Sequence, residues 1–332
     1  MKWEQKVLRT GAIAIACAVF LRLAGGGVLS QAVELLTRQE VGALLLFLET
    51  GRVVTGPAVP DPTGSEPETT EPAVPTEPAQ EENPLVFTSA DAELLYIKNN
   101  TQYSVTAASL LEKKLTWNLK SEEPKVLILH THTTESYENT EGYQQSSNYR
   151  TRDENYNMVS IGARLAQLLE AAGIGVIHAK TVHDYPSYNS SYENSRATVQ
   201  QYLKEYPSIQ FVLDIHRDAF TDSSGKYLGT TVTIGDQQVA RLMMVMGSSG
   251  GGLTHPNWME NTALAAKLYA RLETLAPGIC RNLTVTNQRY NQDLSPGYLL
   301  LEVGAAGNTR QEALNAMPYL AQAITDLAYG TA

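Results

Sequence analysis

Two histidines and a glutamate, His130, His132 and Glu135, stand at the exit of an apolar run in the stretch Lys125 to Tyr137, KVLILHTHTTESY. Imidazole nitrogens and carboxylate oxygens are zinc-binding atoms, and a catalytic zinc site takes three of them and leaves a fourth position open. Two more groups recur in the same setting. His216 follows the run Phe211-Val212-Leu213-Asp214-Ile215, and Glu302 lies inside Tyr298-Leu299-Leu300-Leu301-Glu302-Val303. Burying a bare carboxylate costs several kcal/mol, so a glutamate in such a strand is either partnered or functional. His132, Glu135 and His216 are therefore the candidate metal ligands. Glu302 is the candidate catalytic residue, taking a proton from water and passing it to a leaving nitrogen.

Each candidate has a plainer alternative. His130 and His132 are not expected to face the same way, so His132 is taken as the ligand and His130 as a hydrogen-bonded packing residue. Asp214 and Asp218 flank His216 and could orient its ring, or form a charged surface cluster with it. Glu302 could instead pair with Arg289. Arg289, Asn291 and Gln292 are candidate substrate-binding groups; the same turn could equally be held by its own hydrogen bonds. His178, His183 and His255 read as surface or packing histidines. His216-Arg217-Asp218 echoes a kinase catalytic triplet, but no glycine-rich phosphate loop precedes it and no Asp-Phe-Gly follows, so a kinase is excluded.

The elements that must carry these residues alternate in type. Val126 to Leu129 is an uninterrupted apolar block, the mark of a strand buried on both faces. Glu154 to Ala172 has helical apolar spacing and stops at Gly173. Further strands are expected at Ile174–Ile177, Phe211–Ile215, Thr230–Ile234, Leu242–Met246 and Tyr298–Val303. Helices are expected at Glu193–Tyr206, at Asn257–Leu275, and from the capping box Thr309 to Glu312 onward to about Ala328. Residues 90–119 form a helix-compatible lead-in, and Glu138–Arg152 a polar loop over the site. Alternating strands and helices predict an α/β fold with a mostly parallel sheet flanked by helices.

Composition sets the remaining bounds. Net charge is −10, which offers no basic face for nucleic acid, and two cysteines, Cys17 and Cys280, make no disulfide framework. Residues 1–54 carry Lys2, Lys6 and Arg9 ahead of an apolar run broken at Arg22. They are read as a cytoplasmic tip, a single-pass membrane anchor and a juxtamembrane helix, with a cleaved signal as the alternative. Residues 55–84 are rich in Pro, Glu and Thr and lack aromatics, the composition of a disordered, extended linker. The α/β domain is assigned to 85–332 and placed outside the cytoplasm.

Several ordered stretches together resemble the stage II sporulation protein P family: HTHTTESY at 130–137, Asn157 with Gly162, SYNSSYENSR at 187–196, DIHRDA at 214–219, RYNQDLSPG at 289–297 and LLEVGAAGNT at 300–309. The resemblance spans Asn99 to Leu327. It implies an amidase-like fold and a membrane-anchored, zinc-dependent peptidoglycan hydrolase of the N-acetylmuramoyl-L-alanine amidase type. It also implies endopeptidase activity on peptide cross-links, a role in engulfment during sporulation, and stage II sporulation proteins D and M as partners. By motif, His132 and His216 fall at the zinc histidines of the wider cell-wall amidases and Glu302 at the glutamate of their last strand. The carboxylate ligand stays open, with Glu135 preferred over Glu154, which in those amidases' pattern would open the helix after the first strand. Arg217 departs from that pattern, which has a small residue there. A zinc endopeptidase acting only on cross-links, or a non-catalytic wall-binding scaffold, are the competing readings.

Overall fold

The arrangement of side chains on three neighbouring strands decides where polar groups can gather. In a computed structural model, which describes residues 85–330 apart from 116, 120, 139–141 and 147, the sheet's C-terminal half-strands lie side by side. The chain enters through a short helix α1 (Ser89–Leu94), strand β1 (Ile97–Asn99) and helix α2 (Ala107–Leu111). It then alternates as β2 (Ser121–Leu129), α3 (Met158–Ala171), β3 (Ile174–His178), α4 (Ser191–Glu205) and β4 (Phe211–Asp218). A hairpin β5 (Thr231–Ile234) and β6 (Gln237–Ala240) precedes β7 (Leu242–Met246), α5 (Trp258–Leu275), β8 (Cys280–Val285), β9 (Tyr298–Ala305) and α6 (Arg310–Tyr329).

Seven strands form one sheet in the order β1-β8-β7-β9-β4-β2-β3. Every pairing in it is parallel except β7 with β9, so the expected mostly parallel α/β sheet is present. β5 and β6 pair only with each other, so the strand expected at 230–234 belongs to a separate hairpin. The lead-in is not only helical: β1 within it pairs with β8 at the sheet edge. α3 starts later than expected because Asn157 caps it, its side chain accepting from the Val159 N–H.

Strand parity sorts the core. Phe211, Leu213 and Ile215 of β4, with Leu299, Leu301 and Val303 of β9, pack into the larger hydrophobic cluster with α3, α5 and α6. Val212 and Tyr298 face the other way, into a smaller cluster with Val199 of α4. Successive side chains alternate faces along a strand, so Asp214, His216 and Glu302 share that second face. There the apolar cover of α4 gives way to polar side chains at the carboxyl ends of the strands. Among the described residues no helix is long and apolar enough to cross a membrane. The expected anchor and linker, residues 1–84, lie outside the described residues.

Candidate active site

The register of β4 and β9 sets His216 directly beside Glu302. Both line a cavity of about 280 Å³, together with His132, Glu135, Arg150, Tyr188, Tyr192, Arg217 and Tyr290. The carboxyl ends of a parallel sheet are where open α/β folds bind ligands.

His132 and His130 part company because β2 ends at Leu129 and the chain turns from Thr131 to Thr134. Two residues apart on a strand would share a face; the turn, not strand alternation, swings His132 into the cavity. Its ring meets that of His216 edge-on, with centroids 5.1 Å apart, and stacks on Tyr188 at 4.5 Å. His132 Nε2 lies 3.2 Å from the Tyr188 hydroxyl, while its Nδ1 is buried without a partner. Burial, with the charge of His216 nearby, lowers its pKa to about 3, which keeps the ring neutral. His130 points to the opposite face. Its Nδ1 donates to the Ile215 carbonyl at 3.0 Å and its Nε2 meets His178 Nε2 at 2.9 Å. Carbonyls only accept, so Nδ1 carries the proton, Nε2 is the acceptor, and His178 donates.

His216 is set between two carboxylates. Its Nε2 is 3.0 Å from Asp214 Oδ1 and its Nδ1 is 3.8 Å from Glu135 Oε2. The Asp214 contact lies off the N–H direction, so Nε2 has no formed hydrogen bond, but the charge pairing is close. Burial alone would lower the His216 pKa, and Asp214 overcomes it, raising it to about 9. Asp214 is fixed by the backbone N–H and hydroxyl of Thr131 at 2.8 and 2.6 Å. Burial opposes its ionisation, yet His216 and these hydrogen bonds hold its pKa at about 2. Asp218 instead pairs with Arg281 at 2.7 Å.

Glu135 is buried and held by two guanidinium groups, Arg217 Nη1 at 3.3 Å and Arg150 Nη2 at 3.4 Å. Arg217 is itself buried and donates to the carbonyls of Ser136 and Tyr149. The small residue of the resembled pattern is thus replaced by a strut that fixes the carboxylate. Glu154, the alternative ligand, is exposed in the turn before α3 and lies 4.0 Å from Lys180, away from the cavity. Glu302 lines the cavity along part of its length, but its Oε2 is shielded from water and has no partner. Burial, with the charge of Glu135 adding to it against the opposing pull of His216, raises its pKa to about 8. Arg289 does not reach it and pairs with Asp293 at 3.1 Å.

The turn at 289–293 is held internally. Gln292 is fully buried, its carboxamide donating to the Val245 carbonyl and accepting from the Gly247 N–H. Asn291 donates to Tyr192 O and Ser195 Oγ. The residue of this turn that lines the cavity is Tyr290, so the three substrate-binding candidates Arg289, Asn291 and Gln292 spend their polar groups on the turn and its neighbours. Of the histidines read as packing residues, His183 donates to the His130 carbonyl and binds Thr198. Arg150, Tyr188 and Tyr192 reach the cavity from loops and a helix start. The Tyr-rich segment at 185–192 is their one sequence signal.

The donor set suits a zinc-like cation in kind: two imidazoles and a carboxylate, with a buried orphan on His132 Nδ1 and a 3.8 Å gap between His216 Nδ1 and Glu135 that is too long for a hydrogen bond. Among the described residues no group of three His, Cys, Asp or Glu closes on one point, so the donors line the cavity without forming a finished cage. With Nδ1 of His132 as the donor, Nε2 carries the proton and donates to the Tyr188 oxygen, the outer-shell partnership typical of ligand histidines.

Fold and cavity together define an α/β protein that gathers imidazoles and carboxylates at the carboxyl ends of a mostly parallel sheet. The family model described as Stage II sporulation protein P matches residues 60–325, and the chain belongs to that family. It is 30% identical over 213 residues to Stage II sporulation protein P of Bacillus subtilis (strain 168), a match covering 61% of this chain and 50% of the relative. The chain thus spans about half the length of the curated relative it matches. Among solved structures it is similar to an N-acetylmuramoyl-L-alanine amidase of Nostoc punctiforme, with 14% identity, 61% of this chain and 94% of that chain covered, and a TM-score of 0.36. It is also similar to an N-acetylmuramyl-L-alanine amidase from Mycobacterium smegmatis, with 11% identity, 63% and 98% covered, and a TM-score of 0.39.

Proposed function

We propose that this chain is a cell-wall hydrolase of sporulation that cuts the amide between N-acetylmuramic acid and L-alanine, with zinc as cofactor. The observation that carries the reading is the meeting of His132, Glu135, His216 and Glu302 in one cavity, in a chain of the Stage II sporulation protein P family. His132, Glu135 and His216 are the residues that would hold zinc, and a zinc ion there supplies Lewis-acid activation of the scissile carbonyl and of water.

The chain's own groups do the rest. Asp214 holds the His216 ring from behind at 3.0 Å. Arg150 and Arg217 fix Glu135 and offset part of its charge. Burial lifts the Glu302 carboxyl above the usual carboxylate range, so its ionised form is a stronger base toward water and its protonated form is held long enough to act as an acid. It takes a proton from the attacking water and delivers one to the leaving amide nitrogen, which departs as an amine only when protonated. Tyr188, Tyr192 and Tyr290 wall the cavity and limit the water that reaches it. Residues 1–54 anchor the chain in the membrane and 55–84 space the hydrolase from it, on the extracytoplasmic side. Cleavage of peptide cross-links, and assembly with stage II sporulation proteins D and M, belong to the same proposal.

The test is digestion of peptidoglycan sacculi by the full chain with zinc, and with a chelator, followed by mass spectrometry. Intact stem peptides beginning with a free L-alanine amine are expected only with zinc. Fragments cut solely within cross-links would leave an endopeptidase, and no soluble product at all would overturn the hydrolase.

A further inference from the structure

A second cavity, of about 560 Å³, opens beside the first; Ser146, Asn148, Arg150, Arg152, Tyr185 and Tyr188 are among its lining residues. Arg150 and Tyr188 line both cavities, so one side-chain pair forms the wall between them. The two arginines differ in state. Arg150 is committed to Asp184 at 2.7 Å and Glu135 at 3.4 Å. Arg152 has no carboxylate partner among the described residues; its guanidinium lies over the Tyr185 ring, 4.4 Å from the centroid. Stacking on an aromatic face leaves the edge N–H groups of a guanidinium free and pre-oriented for a planar, two-oxygen acceptor.

The other lining groups favour the same ligand. Asp184 is the only acidic residue among those lining the cavity, against two arginines, so the lining is net positive on a chain whose net charge is −10. A neutral sugar ring would be recognised by stacking on open aromatic faces. Here Tyr188 already stacks on His132 and carries Arg150 at 4.4 Å, and Tyr185 carries Arg152. Asn148 and Ser146 bond to each other, and Ser146 Oγ also meets the Arg150 carbonyl, so Arg152 is the charged group of the lining left for a ligand. We propose that this cavity is a subsite for a carboxylate of the peptide portion of the substrate, gripped by Arg152 next to the scissile bond. The inference rests on the hydrolase reading for its substrate, and on the cavity alone for its charge preference.

The experiment uses the full chain carrying Glu302→Gln, to prevent turnover, and fluorescence anisotropy with three labelled probes. These are a muramoyl peptide with free carboxylates, the same compound with its carboxylates amidated, and the free stem peptide without sugar. The parent should prefer the free-carboxylate forms by about tenfold, the value of one charge-assisted hydrogen bond. Arg152→Gln should abolish that preference and Arg152→Lys should keep part of it, as a point charge without the fork. Arg152 is exposed, so its variants should melt with the parent. A preference that survives Arg152→Gln, or an equal loss for charged and amidated probes, overturns the subsite. Sacculi cleaved by the chain with Glu302 in place, with no charge preference in the probe binding, would sink the subsite and keep the hydrolase. An Arg152-dependent preference for the free stem peptide, with sacculi left intact by the chain with Glu302 in place, would keep the subsite and sink the hydrolase.

Discussion

Glu302 sets burial directly against ionisation. It was legible as a functional candidate because a carboxylate interrupts an apolar strand, and His216 because an imidazole ends one. Replacing Glu302 with Gln keeps the volume and removes the proton. If it is the proton carrier, sacculus digestion should fall by roughly a hundredfold or more, while the fold is kept. Undiminished turnover would remove it from the mechanism. Glu135 carries a different expectation. It is the buried counter-charge of Arg217, with side chains about 6% and 4% exposed. Glu135→Gln strands that guanidinium, so urea unfolding should show a loss of about 3 kcal/mol, the scale of breaking a buried ion pair. A loss below about 0.5 kcal/mol would mean that Glu135 is screened as a surface pair is. None of this was visible in the local sequence, because Arg150 and Arg217 reach Glu135 from 15 and 82 residues away along the chain. The same distance hid Tyr188, Tyr192 and Tyr290. The turn at 289–293 shows the same limit: its sequence leaves open whether its polar residues are free or bonded within the turn, and in the fold they bond to Asp293, Tyr192, Ser195, Val245 and Gly247.

At the scale of elements, the strands that build the site were the easiest to read. β4, β9 and the second half of β2, Val126–Leu129, are buried on both faces and so are nearly continuous apolar runs. β8 carries Arg281, Asn282 and Thr284 among half-buried positions, and β1 has three residues with two exposed, so neither gives a periodic signal. The meeting of α3 with β2 and β3 yields a prediction in which two principles disagree. Gly162 lies inside α3, where helix propensity alone says that Ala would stabilise by about 1 kcal/mol. A Cβ there would sit 2.5 Å from His178 Nε2 and 2.6 Å from His130 Nε2. Those rings hydrogen-bond each other beneath the helix and cannot swing aside without losing that bond. Gly162→Ala should therefore destabilise, by about 1–3 kcal/mol for a forced overpacking, as measured by denaturant unfolding. A gain in stability would show that the histidine pair yields easily.

Across the whole molecule, titration of buried groups should shape stability more than the surface charge does. His130 and His178 are neutral in the folded chain: burial first, and the facing imidazole for His130, lower their pKa values to about 3 and about 4. In the unfolded chain both titrate near 6.5, so between pH 6.5 and 4 the unfolded state binds more protons. Linkage then makes stability fall as pH falls through that window. Glu302 and His216 work from the other side. Their pKa values are raised to about 8 and about 9, so their contributions are full below the unfolded values and fade as pH rises through the folded ones. Melting temperature, measured with a chelator present, should thus peak near neutral pH and decline on both flanks. Two controls separate this from the net charge of −10. Exposed charges are screened beyond about 10 Å at 0.1 M salt and more strongly above it, so the acid flank should persist in high salt if buried histidines cause it. His178→Gln keeps an N–H donor for His130 but does not titrate, so it should flatten the acid flank. An acid flank that disappears with salt would assign it to the surface, and one that persists in salt but survives His178→Gln unchanged would assign it to the other histidines of lowered pKa, His132 and His255.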